Sequence, residues 1–210
     1  MSLLQLTIRG GWLMIPIIIC AALTVAVIIE RLIALKKSEI DAEDFIRKIE
    51  EKLKKRKIRE AIEICEATPG PVSRLVYKAL IKSDRPPEII RENIQDEANQ
   101  LIPYLEKYLG VLATIATIAP LLGLLGTVTG LIKAFMIIEA KGGLVNPSDL
   151  ARGIWEALIT TVAGLVVSIP AYLGYNYLVS RVNGLISDME RATSRMMDII
   201  LLLRSEEETK

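Results

Sequence analysis

The chain is 210 residues long, enough for one or two soluble domains, yet 51% of it is hydrophobic and its mean hydropathy is +0.39, with the apolar residues gathered into long runs. Its 26 basic and 25 acidic side chains nearly cancel, which leaves no overall field for nucleic acid. It holds no histidine, so histidine-based triads and HExxH zinc chemistry are excluded, and neither a metal nor a cofactor is expected.

Residues 1–9 read as a short leader with one charge, Arg9. Residues 10–29 form an uncharged run with Trp12 near its start, where an indole suits a membrane interface. Cations follow this run (Arg31, Lys36, Lys37) instead of crowding ahead of it, so it reads as a first transmembrane helix and not as a cleaved signal. Cys20 lies inside this run and Cys65 in charged sequence beyond it; no disulfide is expected, and Cys65 is the natural target for a thiol reagent.

Residues 30–107, with 17 basic and 16 acidic side chains, read as a cytoplasmic helical domain. Helical periodicity predicts one helix from Ser38 to Ala67 through Phe45, Ile49, Leu53, Ile58 and Ile62, ended by Thr68-Pro69-Gly70-Pro71. A short helix follows over 72–82. From Glu88 the pattern runs without a stop into the next apolar stretch, with Pro103 kinking it, which predicts a helix of ~75 Å to Ile138.

Residues 108–132 and 157–180 are the second and third spans, each uncharged and long enough to cross a hydrocarbon core of about 30 Å. Between them lies a linker, 133–156, in which Lys141-Gly142-Gly143 reads as a turn and Asn146-Pro147-Ser148-Asp149 as a helix start. Residues 181–210 continue as an amphipathic helix through Leu185, Ile186, Met189, Met196, Ile199 and Leu202 into an acidic tail. Basic residues concentrate in 30–107 and in the tail, so the positive-inside rule puts those segments and the C-terminus in the cytoplasm, with the leader and the linker outside.

The second and third spans carry more than lipid solubility requires. The run APLLGLLGTVTG (119–130) holds Pro120, Gly123, Gly126, Thr127 and Gly130; the third span holds Thr160, Thr161, Gly164, Ser168 and Pro170, led in by Glu156. In an antiparallel hairpin Thr127, Thr160 and Thr161 fall at similar depth. Glu156, Thr160, Gly164, Ser168 and Tyr172 recur at helical spacing as one polar or small stripe. Tight packing alone would call for the same glycines and back-bonded threonines, so packing and a polar path both stand on these residues. No Asp, Glu, Lys, Arg or His lies within the three runs, so a buried proton-storing group would have to come from a partner.

The stretches APLLGLLGTVTGLIKAF and GIWEALITTVAGLVVSIPAYLGYN resemble the ExbB/TolQ family, related to the flagellar stator protein MotA. The resemblance covers the whole layout and implies an all-α membrane protein forming a homo-oligomeric ring, a pentamer, around a dimer of a single-span ExbD/TolR-type partner, with or without a TonB/TolA-type protein. It implies a non-enzymatic motor of the bacterial cytoplasmic membrane, in which proton flow past a partner aspartate drives outer-membrane uptake or envelope maintenance. Matched residue by residue, it puts Thr127, Thr161 and Glu156 on the proton pathway, with Thr160 beside them, and makes Pro120 and Pro170 motif prolines. Thr129 stands where the family often has a large residue. The absence of a fourth span favours the Exb/Tol branch over MotA. A non-conducting membrane scaffold is the alternative reading; an intramembrane enzyme lacks any catalytic dyad in the spans.

Overall fold

The structure, a computed structural model, describes residues 10–142 and 146–208; the leader, residues 143–145 (with Gly143 of the expected turn) and the last two residues lie outside the described residues. Every regular element described is a helix: α1 Met14–Ser38, α2 Ala42–Lys54, α3 Ile58–Ala67, α4 Pro71–Ile81, α5 Pro87–Leu105, α6 Leu109–Ala140 and α7 Pro147–Glu208. Three stretches, in α1, α6 and α7, are long and apolar enough to cross a membrane. The chain divides into two compact units, one of Met1–Glu30 with Tyr108–Tyr177, the other of Arg31–Lys107 with Leu178–Lys210.

The first unit is the apolar one. Helix α1 starts after a turn at Gly10–Leu13, in which Gly11 has φ +71, and closes with Lys36 and Lys37 in its last turn, where cations offset the exposed carbonyl end. Met14, Ile17, Ile115, Ala119, Val167 and Ala171 form its core, so α1, α6 and α7 all contribute. The outward faces carry Ile15, Ile18, Leu124, Val128, Phe135, Val162, Val166 and Leu173. An apolar exterior over an equally apolar interior is what a bilayer permits and water would not.

The second unit packs α2–α5 with the second half of α7. That half buries Leu178, Val182, Leu185, Met189, Ala192, Met196 and Ile200, a spacing of three and four that keeps one face inward for over six turns. Leu202, expected on this face, is exposed instead. Glu97 is buried but meets Arg74 at 2.7 Å and Lys78 at 3.2 Å, which supply its counter-charge. Arg181–Glu39 and Arg195–Glu50 add ion pairs from α7 to the shorter segments.

Two helices end where periodicity runs on. The helix expected over 38–67 is broken at Lys55-Arg56-Lys57, with Arg56 in the left-handed region at φ 56. Arg56 N–H returns to the Leu53 carbonyl at 2.8 Å, and Lys52 and Lys57 both reach Glu60, holding the turn by local bonds that no Gly or Pro announces. These ammonium groups hold the Glu60 carboxyl down at about 2. The helix expected from Glu88 to Ile138 is likewise interrupted, at Glu106–Tyr108. Pro103 cannot donate to the Asn99 carbonyl, and the ladder stops two residues later. The fully buried Arg31 donates to the Tyr104 carbonyl at 3.0 Å and stands over that residue's ring, 5.9 Å from its centroid, capping the end of α5. Tyr108 then takes φ 65 before α6 begins.

Cys65 is buried in this unit, and burial pushes its thiol up to about 12, with the Glu66 charge adding to the effect. The thiolate is the reactive form, so the natural reporter suggested by sequence is a poor one. In a Cys20→Ala background at pH 7.5, maleimide labelling of Cys65 is expected to be at least ~100-fold slower than labelling of Asp84→Cys, an exposed position. Comparable rates, followed by mass spectrometry of the native protein, would show that the α3 face opens readily.

Candidate functional site

The sequence-predicted site lies in the first unit, along the seam of α6 and α7. Small residues let the two backbones meet. A Cβ added at Gly126 would fall 2.5 Å from the Thr160 Cβ, and one at Gly164 would fall 2.5 Å from the Ala119 carbonyl oxygen. At Gly130 it would meet the Gly153 carbonyl oxygen at 2.8 Å, and at Gly123 the Thr161 Cα at 3.0 Å. Each glycine expected to serve packing therefore faces the other helix, and Gly153 and Ala119, which sequence did not single out, complete the pairing.

The threonines take different places. Thr160 is 1% exposed, pressed against Gly126, and its hydroxyl donates to the Glu156 carbonyl at 2.6 Å. Thr161 lies 100° further round α7 and is half-buried; its hydroxyl crosses the seam to the Gly123 carbonyl at 3.0 Å. Thr127, half-buried on α6, donates to its own helix at the Leu124 carbonyl, 2.6 Å away. The two threonines are not hydrogen-bonded to each other. They meet through the Gly123 carbonyl, which the helical ladder assigns to the Thr127 N–H and which also receives the Thr161 hydroxyl.

Ser168 makes the second cross-seam bond, donating to the Ala116 carbonyl at 2.7 Å. Ala116 is four residues before Pro120, so its carbonyl has lost its α-helical donor, and the serine replaces it. The expected stripe of Glu156, Thr160, Gly164 and Ser168 holds, but Tyr172 leaves it and is exposed. Steps of four residues advance about 40° past a full turn each, so four steps carry Tyr172 about 160° from Glu156.

At one end of the seam Glu156 pairs with Lys133 of α6; their side chains are 23% and 50% exposed. A Cβ at Gly11 would collide with this carboxylate, so the main chain ahead of α1 passes against the same group. Sequence reasoning had no place for Lys133, although it is the one basic residue of α6. No cluster of three His, Cys, Asp or Glu side chains that could hold a metal occurs among the described residues. Chemically the seam offers hydroxyls and main-chain carbonyls: a hydroxyl can relay a proton or order water, a carbonyl can accept a hydrogen bond, and neither stores a charge near neutral pH.

Residues 26–191 match the MotA/TolQ/ExbB proton channel family. The chain belongs to that family. It is 33% identical over 184 residues to biopolymer transport protein exbB1 of Vibrio cholerae, covering 84% of this chain and 79% of that one. It is 43% identical over 99 residues to biopolymer transport protein ExbB of Aquifex aeolicus, covering 47% of this chain and 66% of that one. It is 39% identical over 112 residues to Tol-Pal system protein TolQ of Haemophilus influenzae, covering 51% and 48%. The chain thus spans between about half and about four fifths of the length of these relatives. Membership of a proton channel family, with three membrane-length helices, makes this a membrane transport protein, as its ExbB/TolQ motifs imply. In a proton channel family the α6–α7 seam gains interest because its two cross-helix hydroxyls, Thr161 and Ser168, lie on one side of α7.

Proposed function

We propose that this chain is the ring-forming subunit of a motor in the bacterial cytoplasmic membrane, driven by proton flow and completed by a single-span partner that carries an intramembrane aspartate. In this reading the leader and the 133–156 linker lie outside and the charged unit and C-terminus lie in the cytoplasm, because the basic residues flank the inner ends. One observation carries the proposal: the half-buried Thr127 and Thr161 meet at the Gly123 carbonyl, which takes the Thr127 N–H of its own helix and the Thr161 hydroxyl from across the seam, in spans that contain no Asp, Glu, Lys, Arg or His. A hydroxyl does not store a proton near neutral pH, whereas a carboxylate carried into a low-dielectric cavity readily binds and releases one. Thr127 and Thr161 would line the path, Glu156 would organise its outer mouth, and Thr160, enclosed in the seam, would hold the hairpin beside it. Pro120, Pro170 and the seam glycines would set helix shape. By analogy with the relatives named above, the work served is transport across the envelope or Tol-Pal function.

A scaffold with no path is the second reading, favoured by one fact: the hydroxyls of Thr127, Thr129, Thr160, Thr161 and Ser168 all donate to main-chain carbonyls of this chain. Reconstitution separates the two. In liposomes with an imposed pH gradient, the protein alone is expected to conduct few protons, and co-reconstitution with an ExbD/TolR-type partner is expected to raise the flux by about tenfold or more, an increase removed when the partner's aspartate becomes asparagine. Flux that stays at background with the assembled partner present would overturn the motor reading in favour of the scaffold.

A further inference from the structure

Of the two charges at the end of the seam, Glu156 stands at the mouth of the proposed path, while Lys133 has no role in it so far. Glu156 leads the third span and Lys133 follows the second, 23 residues apart across a linker, and the structure joins them as an ion pair. Around them the two helices remain in close contact. Gly130 and Gly153 meet backbone to backbone one turn away, Ala134 sits against Gly153, and the Gly11 main chain closes over the carboxylate. Thr160 ties the Glu156 carbonyl into the same turn.

We infer that Lys133 is a positioning residue: its ammonium holds the Glu156 carboxylate as a fixed counter-charge and so sets the register of α6 against α7 at the path mouth. This rests on the assignment of Thr127 and Thr161 to the path. From the pair, Thr161 is five residues along α7 and Thr127 six residues along α6, about 7.5 and 9 Å of helix rise, so a slip at the pair is delivered to both threonines. Glu156 is then engaged with Lys133 and does not carry the transported proton. A fully exposed ion pair contributes little to stability in water, but Glu156 is only 23% exposed, so a coupling within this pair is measurable. Here its role is geometric, because two rigid helices with glycine contacts have few other side chains that fix their sliding. Lysine suits the place, since its long stem follows the apolar helix surface while the ammonium stays at the boundary.

The test uses the full chain co-reconstituted with its Asp-bearing partner, read by partner-dependent proton flux and by thermal unfolding in detergent. Lys133→Met is expected to lower the flux by roughly fivefold or more while the ring still assembles, and Lys133→Arg to keep it within about twofold. Glu156→Lys should lose flux, and the exchanged pair Lys133→Glu with Glu156→Lys should recover most of it. Full flux in Lys133→Met, or an exchanged pair no better than Glu156→Lys in an assembled ring, would overturn the inference; the latter would make Glu156 a carrier at its own position. If the unaltered protein shows no partner-dependent flux, the motor reading fails instead. The double-mutant cycle in unfolding then still reads the pair: a coupling near zero overturns it, and a clear coupling supports it.

Discussion

Ser168→Ala is expected to destabilise the α6–α7 hairpin by about 2 kcal/mol, and Pro120→Ala introduced into the same chain is expected to return most of that loss. The cause is a carbonyl. Pro120 brings no N–H, so the Ala116 oxygen lacks its ladder donor, and the Ser168 hydroxyl fills the place from the other helix at 2.7 Å. Alanine at 168 leaves that oxygen without a donor inside an apolar unit, where no water offers a substitute. Alanine at 120 restores an N–H in the ladder, so the serine is no longer required. Stability in a mild detergent, followed by thermal unfolding of single and double variants, measures the cycle. Additive losses would show that the two residues act separately and that Pro120 shapes the helix alone.

This pairing shows what a sequence can and cannot disclose. The spans were legible because an uncharged run of membrane length is hard to accommodate anywhere but in a bilayer. The seam was partly legible because Gly126 and Gly130 repeat at four residues on one helix. Relations across the hairpin were not. Helical spacing says nothing about which residue of α7 meets Ala116, or that Glu156 reaches Lys133, since the linker interrupts the periodicity. Thr160 and Thr161 are adjacent letters with the same chemistry, yet 100° of rotation seals one in the seam and turns the other across it. The breaks at Arg56 and Tyr108 escaped notice for a different reason. Both place a non-glycine residue at positive φ, and both depend on tertiary or local bonds (Arg31 to Tyr104, Lys52 to Glu60) and not on a breaker residue in the turn.

Thr161→Val and Thr127→Val are expected to abolish partner-dependent proton flux, lowering it by on the order of a hundredfold, with the assembled ring retained. Valine keeps the β-branched shape and nearly the same volume while removing the hydroxyl, so the change separates the hydroxyl from the shape of the side chain. The two sites differ in what packing alone would predict. Thr161 makes a cross-seam bond to Gly123, whose carbonyl keeps the Thr127 N–H of its own ladder when the hydroxyl is gone; losing that bond would cost about 1 kcal/mol of hairpin stability. Thr127 bonds only within its own helix, so its replacement should cost close to nothing. On a packing role, then, Thr161→Val is a modest stability variant and Thr127→Val is silent. On a path role both lose flux alike, stability notwithstanding, and Thr161→Ser regains it by returning the hydroxyl without the methyl. Flux in co-reconstituted liposomes and unfolding in detergent, measured on the same preparations, decide between these patterns. A Thr127→Val ring that conducts fully with its partner would leave the hydroxyls with packing alone, since Thr127 has no cross-helix bond through which loss of shape could be disguised as loss of function.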